Sequence, residues 1–290
     1  MFYIAYRLTW TLSGGCQSGD IGLKKLAVIV LCILAGSAVR AAEQPSKSPM
    51  PLAVGNKWEY SVSQIGVMTM DDGENSRAAQ TSSAGTCVEE VLAVKERRPN
   101  GDAVFEHRST TNTQEGENSE AKESVMDSLL LTSKDGIFIT ASKSSGLDGL
   151  LTNEWVNYQP PLMIYRIGMK AGTKWNVGTV REGKLRMPMM AKVVGTESVT
   201  VPAGTFADCL KMYVTCSKVS GTMGSGEDKA EIKDGKSVTA VWVCPGIGVV
   251  KEDSILQAKM QFPPDENGRA FTMTGTHRKI KSLQPGYVVK

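Results

Sequence analysis

The sequence predicts a mainly β protein: a curved antiparallel sheet or half-open barrel, divisible into two related lobes. Strand signals recur roughly every 8–14 residues, rich in Val, Thr and Tyr and bounded by Gly, Pro and Asp turns. Helical periodicity is almost absent. The stretch Val193 to Cys216, VVGTESVTVPAGTFADCLKMYVTC, reads as strand, turn and strand, answered by WVCPGIGVVK at Trp242 to Lys251.

In that stretch Val199, Thr200 and Val201 are β-branched and favour a pleated backbone. Pro202 cannot donate to a ladder and Gly204 tolerates positive φ, so Pro202-Ala203-Gly204 is a reversal. From Cys209 to Cys216 the residues alternate, placing Leu210, Met212, Val214 and Cys216 on one face and Cys209, Lys211, Tyr213 and Thr215 on the other. One face is apolar and the other mixed, as in an antiparallel sheet that covers a core on one side. Between Val219 and Lys236 the chain is too rich in Gly and charge for core and is expected to loop. Val238 to Val243 is again strand-like, and Pro245-Gly246 ends it.

Residues 1–41 read as a signal peptide. Lys24-Lys25 precede an apolar run from Leu26 to Ala38, and Val39-Arg40-Ala41 supplies small residues for cleavage. The run is shorter than the roughly 20 residues that span a bilayer, so a removed leader is expected and no stable membrane span remains. Cys32 follows Leu31, which does not suit lipidation of that cysteine. The leader takes four of the 33 basic and one of the 30 acidic side chains, leaving 29 of each. A formally neutral mature chain has no global electrostatic attraction to nucleic acid. The basic run His277-Arg278-Lys279-Ile280-Lys281 is expected at a solvated strand end.

Four cysteines outlast the leader: Cys87, Cys209, Cys216 and Cys244. In an exported chain they imply two disulfides. A continuous strand would hold Cys209 and Cys216 on the order of 23 Å apart and on opposite faces, too far to bridge. Two connectivities remain: Cys216–Cys244 with Cys87–Cys209, which is preferred, or Cys209–Cys244 with Cys87–Cys216. A zinc site is disfavoured by the absence of CxxC and the scarcity of His.

Residues 42–50 form a Pro/Ser/Lys linker, and a β domain is expected over 51–290, with lobes at 51–156 and 157–290. The fold opens on GNKWEY, where Gly55-Asn56 turns and Trp58, Tyr60 and Val62 alternate into a strand. The phrase returns as GTKWNV, with Gly172 and Trp175. Two such openings point to two related halves. Each Trp plugs one end of a β layer or offers a stacking surface to a ligand. Asp71 to Asn75 is a polar hairpin loop whose oxygens could hold Ca²⁺, although EF-hand spacing is missing. Strands follow at Thr86–Val94, Ala103–Thr110, Ser128–Thr132 and Gly136–Ser142. The acidic Gln114–Glu123 lies between them as a short helix or loop. Asn157 to Tyr165, NYQPPLMIY, is expected to join the lobes as an extended passage.

Met187 and Met189 would share one strand face, lining an apolar groove or offering thioethers to Cu(I). Trp58, Trp175, Met187 and Met189 are therefore the candidate ligand-binding residues. No catalytic residue, metal site or cofactor is expected. The sequence lacks G-x-S-x-G, H-E-x-x-H, a P-loop and a complete G-x-G-x-x-G. Of the two histidines, His107 sits beside Arg108 and reads as a surface residue.

The order GNKWEY, GTKW, TVPAGTFADCLKM and VCPGIGVVK resembles a group of exported bacterial β-proteins of unknown function with a G-x-x-W … V-P-A-G-x-F-x-x-C-x-K … P-G-x-G-x-V-K pattern. The matching residues are Gly172, Trp175, Val201, Pro202, Ala203, Gly204, Phe206, Cys209, Lys211, Pro245, Gly246, Gly248, Val250 and Lys251. The resemblance covers the second half. It implies a periplasmic or secreted antiparallel fold similar to the half-barrel of lipoprotein carriers, and it brings no catalytic residues. The expected function is that of a non-enzymatic exported protein binding an apolar small molecule, or an envelope protein partner, in the concavity of its sheet. The alternatives are an envelope-assembly component acting through sheet edges and a hydrolase built on carboxylates.

Overall fold

The computed structural model describes residues 48–116, 119–146, 153–182, 184–223, 230–264 and 270–290. The expected leader, residues 1–41, and most of the 42–50 linker lie outside the described residues. The end of that linker is packed, with Met50 buried.

The described residues form thirteen strands: β1 (Lys57–Asp71), β2 (Ser76–Arg97), β3 (Ala103–Gln114), β4 (Lys122–Thr132), β5 (Gly136–Gly146), β6 (Val156–Arg166), β7 (Lys174–Glu182), β8 (Leu185–Val201), β9 (Gly204–Cys216), β10 (Gly221–Met223), β11 (Ala230–Cys244), β12 (Gly248–Gln261) and β13 (Thr272–Leu283). No helix occurs among the described residues. The mainly β, antiparallel prediction is met.

All thirteen strands belong to one sheet, ordered β6-β5-β4-β3-β2-β1-β13-β12-β11-β9-β8-β7, with β10 attached to β11. Almost every step joins strands consecutive in the chain, and the first and last pair as β1 with β13. The sheet is thus an up-and-down ring of twelve strands. It lacks a ladder in one place, between β6 and β7. There the Trp175 indole N–H donates to the Met163 carbonyl at 2.9 Å. An eight-stranded barrel is just wide enough for its own side chains or one small ligand; twelve strands enclose more.

Alternation sorts the side chains. On β8, Leu185, Met187, Met189, Ala191 and Val193 are buried while the residues between them are exposed. The same parity runs along β13, where Met273, Lys279, Lys281 and Leu283 are buried and Arg278 is exposed. These inward rows form the core.

Two expectations need correction. Asn157 to Tyr165 is not a connector but most of β6, so a lobe boundary at 156/157 falls at the start of a strand that pairs with β5. Residues 230–236 are strand, because Ala230 and Ile232 turn inward while the charged Glu231 and Lys233 turn outward. The acidic Gln114–Glu123 takes the loop alternative in its described residues, with its ends in β3 and β4. Cys209 keeps the face expected of it, its register partner Glu197 bonding Lys211 on the outer side, yet it is buried.

Candidate ligand site inside the ring

The two Trp-bearing turns are built alike. Gly55 and Gly172 have φ of 84° and 86°, conformations that favour glycine. The Asn56 N–H donates to the Ala53 carbonyl, and the Thr173 N–H donates to the Lys170 carbonyl, each at 2.9 Å. Gly55 donates to Val91 and Gly172 to Val193. Those valines donate back to Asn56 and Thr173, all four bonds being 2.9 Å. Trp58 and Trp175 follow, both buried. The Trp58 indole N–H reaches the Ile247 carbonyl at 2.7 Å. Each buried Trp thus commits its indole N–H to a backbone carbonyl, Trp175 to that of Met163.

Downstream of the first turn, the inner wall is polar. Lys281 on β13 lies opposite Glu252 on β12 and reaches its carboxylate at 3.3 Å. The same ammonium crosses β1 over the Tyr60 ring, 4.2 Å from its centroid, and meets Glu89 on β2 at 2.7 Å. His107 on β3 approaches the other Glu89 oxygen at 3.9 Å and faces Ser128 on β4 in register. Ser109 lies opposite Glu89 and contacts the Cys87 thiol at 3.4 Å. This belt crosses six neighbouring strands, and its members are almost wholly buried.

Electrostatics fix the charge states. Burial would raise the Glu89 carboxyl, but the Lys281 ammonium overrides it and holds the group at about 2. Burial likewise opposes ionisation of Glu252, and Lys281 again prevails. Burial works against the Lys281 charge too, yet Glu252 and Glu89 raise it well above the ordinary lysine value. Burial pushes His107 down to about 4, so its imidazole is neutral at pH 7. Five buried polar atoms of this wall have no hydrogen-bond partner: Glu89 Oε2, His107 Nδ1 and Nε2, Thr111 Oγ1 and Ser128 Oγ. Orphaned groups of this kind are costly and rare in folded proteins.

Downstream of the second turn the positions matching that belt are apolar, although Ser237 and Thr239 on β11 are also buried. Val193 pairs with Met212 as Val91 pairs with His107. On that alignment Ala191 stands where Glu89 stands, Val214 for Ser109, Cys216 for Thr111 and Val241 for Ser128. All of these apolar residues are buried. Met187 and Met189, expected to share a face, do so and lie against this wall. The candidate ligand residues thus divide, with Trp58 and Trp175 at the two turns and Met187 and Met189 on the apolar side.

The cysteines depart from the preferred pairing. Cys209 is bridged to Cys244, whereas Cys87 and Cys216 are buried free thiols. The reason lies in the register: Val243 pairs with Leu210, which brings Cys244 beside Cys209. Cys87, on β2, lies on the opposite wall from Cys216.

Glu89, His107 and Ser128 occur in acid–imidazole–hydroxyl order on adjacent strands. Their geometry is not that of an activated nucleophile. His107 bonds to neither neighbour, and the backbone N–H groups around them are committed to ladders rather than to an oxyanion hole. Among the described residues no group of three His, Cys, Asp or Glu could hold a metal ion. The Asp71–Asn75 loop spends its carboxylates on its own backbone, Asp72 Oδ1 accepting from Glu74 and Asn75. On the outer face, Lys211 and Lys251 flank the Trp242 ring at 4.9 and 5.1 Å, and Glu197 accepts from its indole N–H.

No family model and no curated protein matches the chain. Among solved structures it is similar to a protein of Parabacteroides distasonis provisionally classed as a lipoprotein. That match has 14% identity and a TM-score of 0.36, and covers 83% of this chain and 99% of the other. It is also similar to a provisionally exported protein of Bacteroides fragilis with a YmcC-like fold. Here the identity is 12% and the TM-score 0.30, covering 81% of this chain and 97% of the other. Likenesses this weak carry no argument about function.

Sequence reasoning misplaced three residues of the polar wall. His107 is not on the surface, and Lys279 and Lys281 are not at a solvated end; all three point inward. Parity held the signal, since His107 shares a face with Phe105, and Lys281 shares one with Leu283. Glu89 shares parity with Cys87 and Val91. The polar residues on both faces of these strands concealed it.

Proposed function

We propose that this is an exported, non-enzymatic protein that binds an apolar small molecule inside its β ring. The carrying observation is the contrast of the two inner walls. A buried apolar wall of Met187, Met189, Ala191, Val193, Met212 and Val214 lines the second half, whereas the first half buries Glu89, His107 and Ser128 at the matching positions. Methionines suit such a surface because their flexible thioether chains adapt to irregular apolar shapes. Export is supported by the leader-like first 41 residues and by the Cys209–Cys244 disulfide, a bond that persists in oxidising compartments.

Native mass spectrometry of the mature protein, purified gently from its own envelope, tests the reading. A mass excess of a few hundred daltons that disappears on denaturation is the expected result. A bare chain that also fails to take up any long-chain lipid added at micromolar concentration would remove it.

A further inference from the structure

The polar wall specifies the other end of that ligand, an inference that rests on the reading above. Glu89 Oε1 accepts from Lys281 at 2.7 Å, while Oε2, both His107 ring nitrogens and Ser128 Oγ have no hydrogen-bond partner. Glu89 is 2% exposed, and His107 and Ser128 are 0% exposed. His107 and Ser128 are register partners, and Glu89 Oε2 is 3.9 Å from His107 Nε2. Thr111, also without a partner, lies on the same face of β3 four residues further on, about 13 Å along the strand.

We propose that the ligand carries an uncharged, hydroxyl-bearing head seated on Glu89, His107 and Ser128. Each group narrows the choice. Ionised Glu89 can only accept, so the head must donate to Oε2. Neutral His107 offers one donor and one acceptor, so the head must also accept. Ser128 can do either. A hydroxyl donates and accepts, and a pair of them serves all three residues. A carboxylate or a phosphodiester cannot donate to Glu89, and any anionic head would meet its charge at close range. The nearby cation is committed, because Lys281 already bonds Glu89 at 2.7 Å and Glu252 at 3.3 Å. An ammonium head satisfies Glu89 but cannot accept from the imidazole N–H, and it places a second cation beside Lys281.

The test compares three probes with the same oleoyl-derived chain, titrated calorimetrically into the mature protein at neutral pH: monooleoylglycerol, oleate and oleylamine. Monooleoylglycerol should bind at least about tenfold more tightly than either charged probe, the discrimination expected where buried polar groups would otherwise stay unpaired. Ser128→Ala should weaken monooleoylglycerol about five- to tenfold, the equivalent of one hydrogen bond, and leave oleate and oleylamine unchanged. That variant removes an unpartnered buried hydroxyl, so its melting temperature should not fall. Equal affinity for all three probes, or tighter binding of a charged one, overturns the head-group assignment while leaving the apolar interior standing. Binding of none overturns both.

Discussion

The chain makes the same corner twice and lines it differently. At Gly55–Trp58 and at Gly172–Trp175 the turn and the valine that answers it coincide bond for bond, and a buried indole follows each. Beyond them, Glu89, His107, Ser109, Thr111 and Ser128 occupy the positions held in the other half by Ala191, Met212, Val214, Cys216 and Val241. The second half shows that this backbone folds around an apolar lining. The first half therefore carries its buried charges and orphaned polar atoms for a reason other than folding, since apolar replacements of buried ion pairs are often neutral or stabilising. The seams differ in the same instructive way. Where the second half meets the first, β13 ladders with β1 over its whole length. Where the first meets the second, β6 presents Pro160 and Pro161, which cannot donate, and β7 carries Gly178 at a register slip. The ladder is lost there and an indole hydrogen bond stands in for it.

The largest effect should come from Lys281→Met. It strands Glu89 and Glu252 as buried carboxylates without their shared cation, and a loss of about 3–5 kcal/mol is expected by urea titration. Adding Glu89→Ala, the residue found at the equivalent Ala191, should restore part of it. If the single variant unfolds at the wild-type urea midpoint, the belt is solvated and the contrast between the walls loses its meaning.

Next comes Cys244→Ser. The bridge closes a loop with a sequence separation of 35, worth about 3–4 kcal/mol of unfolded-state entropy. In the first half the matching positions are Val104 and Leu131, which are register partners. The double change Cys209→Val with Cys244→Leu should therefore recover stability relative to Cys244→Ser. A double variant no better than the serine would show that the two sites are not interchangeable.

The walls should also part company in acid. A folded His107 held at about 4, against an ordinary value near 6.5, does not take up the proton that the unfolded chain accepts. Its contribution is complete above about pH 6.5 and is lost as the pH falls toward 4, by up to about 3 kcal/mol. His277, also held at about 4 by burial, acts in the same window. Glu89, at about 2, loses its contribution at lower pH, between about 4.5 and 2. His107→Met, copying Met212, should flatten the stability profile between pH 7 and 4.5 without abolishing the slope. An unchanged profile would place the histidine in contact with water.

Much of this was legible in the sequence, and the part that was not has a definable cause. Turn chemistry located most of the hairpins, because Gly, Pro and Asp at 71–75, 99–101 and 202–204 have few other uses. The apolar face of β8 was legible too, since Met187 and Met189 alternate with exposed neighbours. The polar wall was not. Reading alternation requires that one face be apolar, and along β3 and β13 both faces carry charge or hydroxyl groups. The disulfide was not legible because spacing alone does not show that Val243 pairs with Leu210, which sets Cys244 beside Cys209.

The smallest expected change in stability belongs to the most extensive substitution. Glu89→Ala, His107→Met and Ser128→Val together copy Ala191, Met212 and Val241 into the first half. The ion pair between Lys281 and Glu252 remains, so no charge is stranded. Three groups with unpartnered atoms are removed, which favours the variant, while imperfect side-chain fit opposes it. The two should cancel to within about 1–2 kcal/mol. Such a protein would keep its fold and bind monooleoylglycerol, oleate and oleylamine with nearly equal affinity, its preference for the hydroxyl head gone. Collapse of the fold would instead make the polar wall a structural requirement of the first half, and the likeness of the two corners would then end at their backbones.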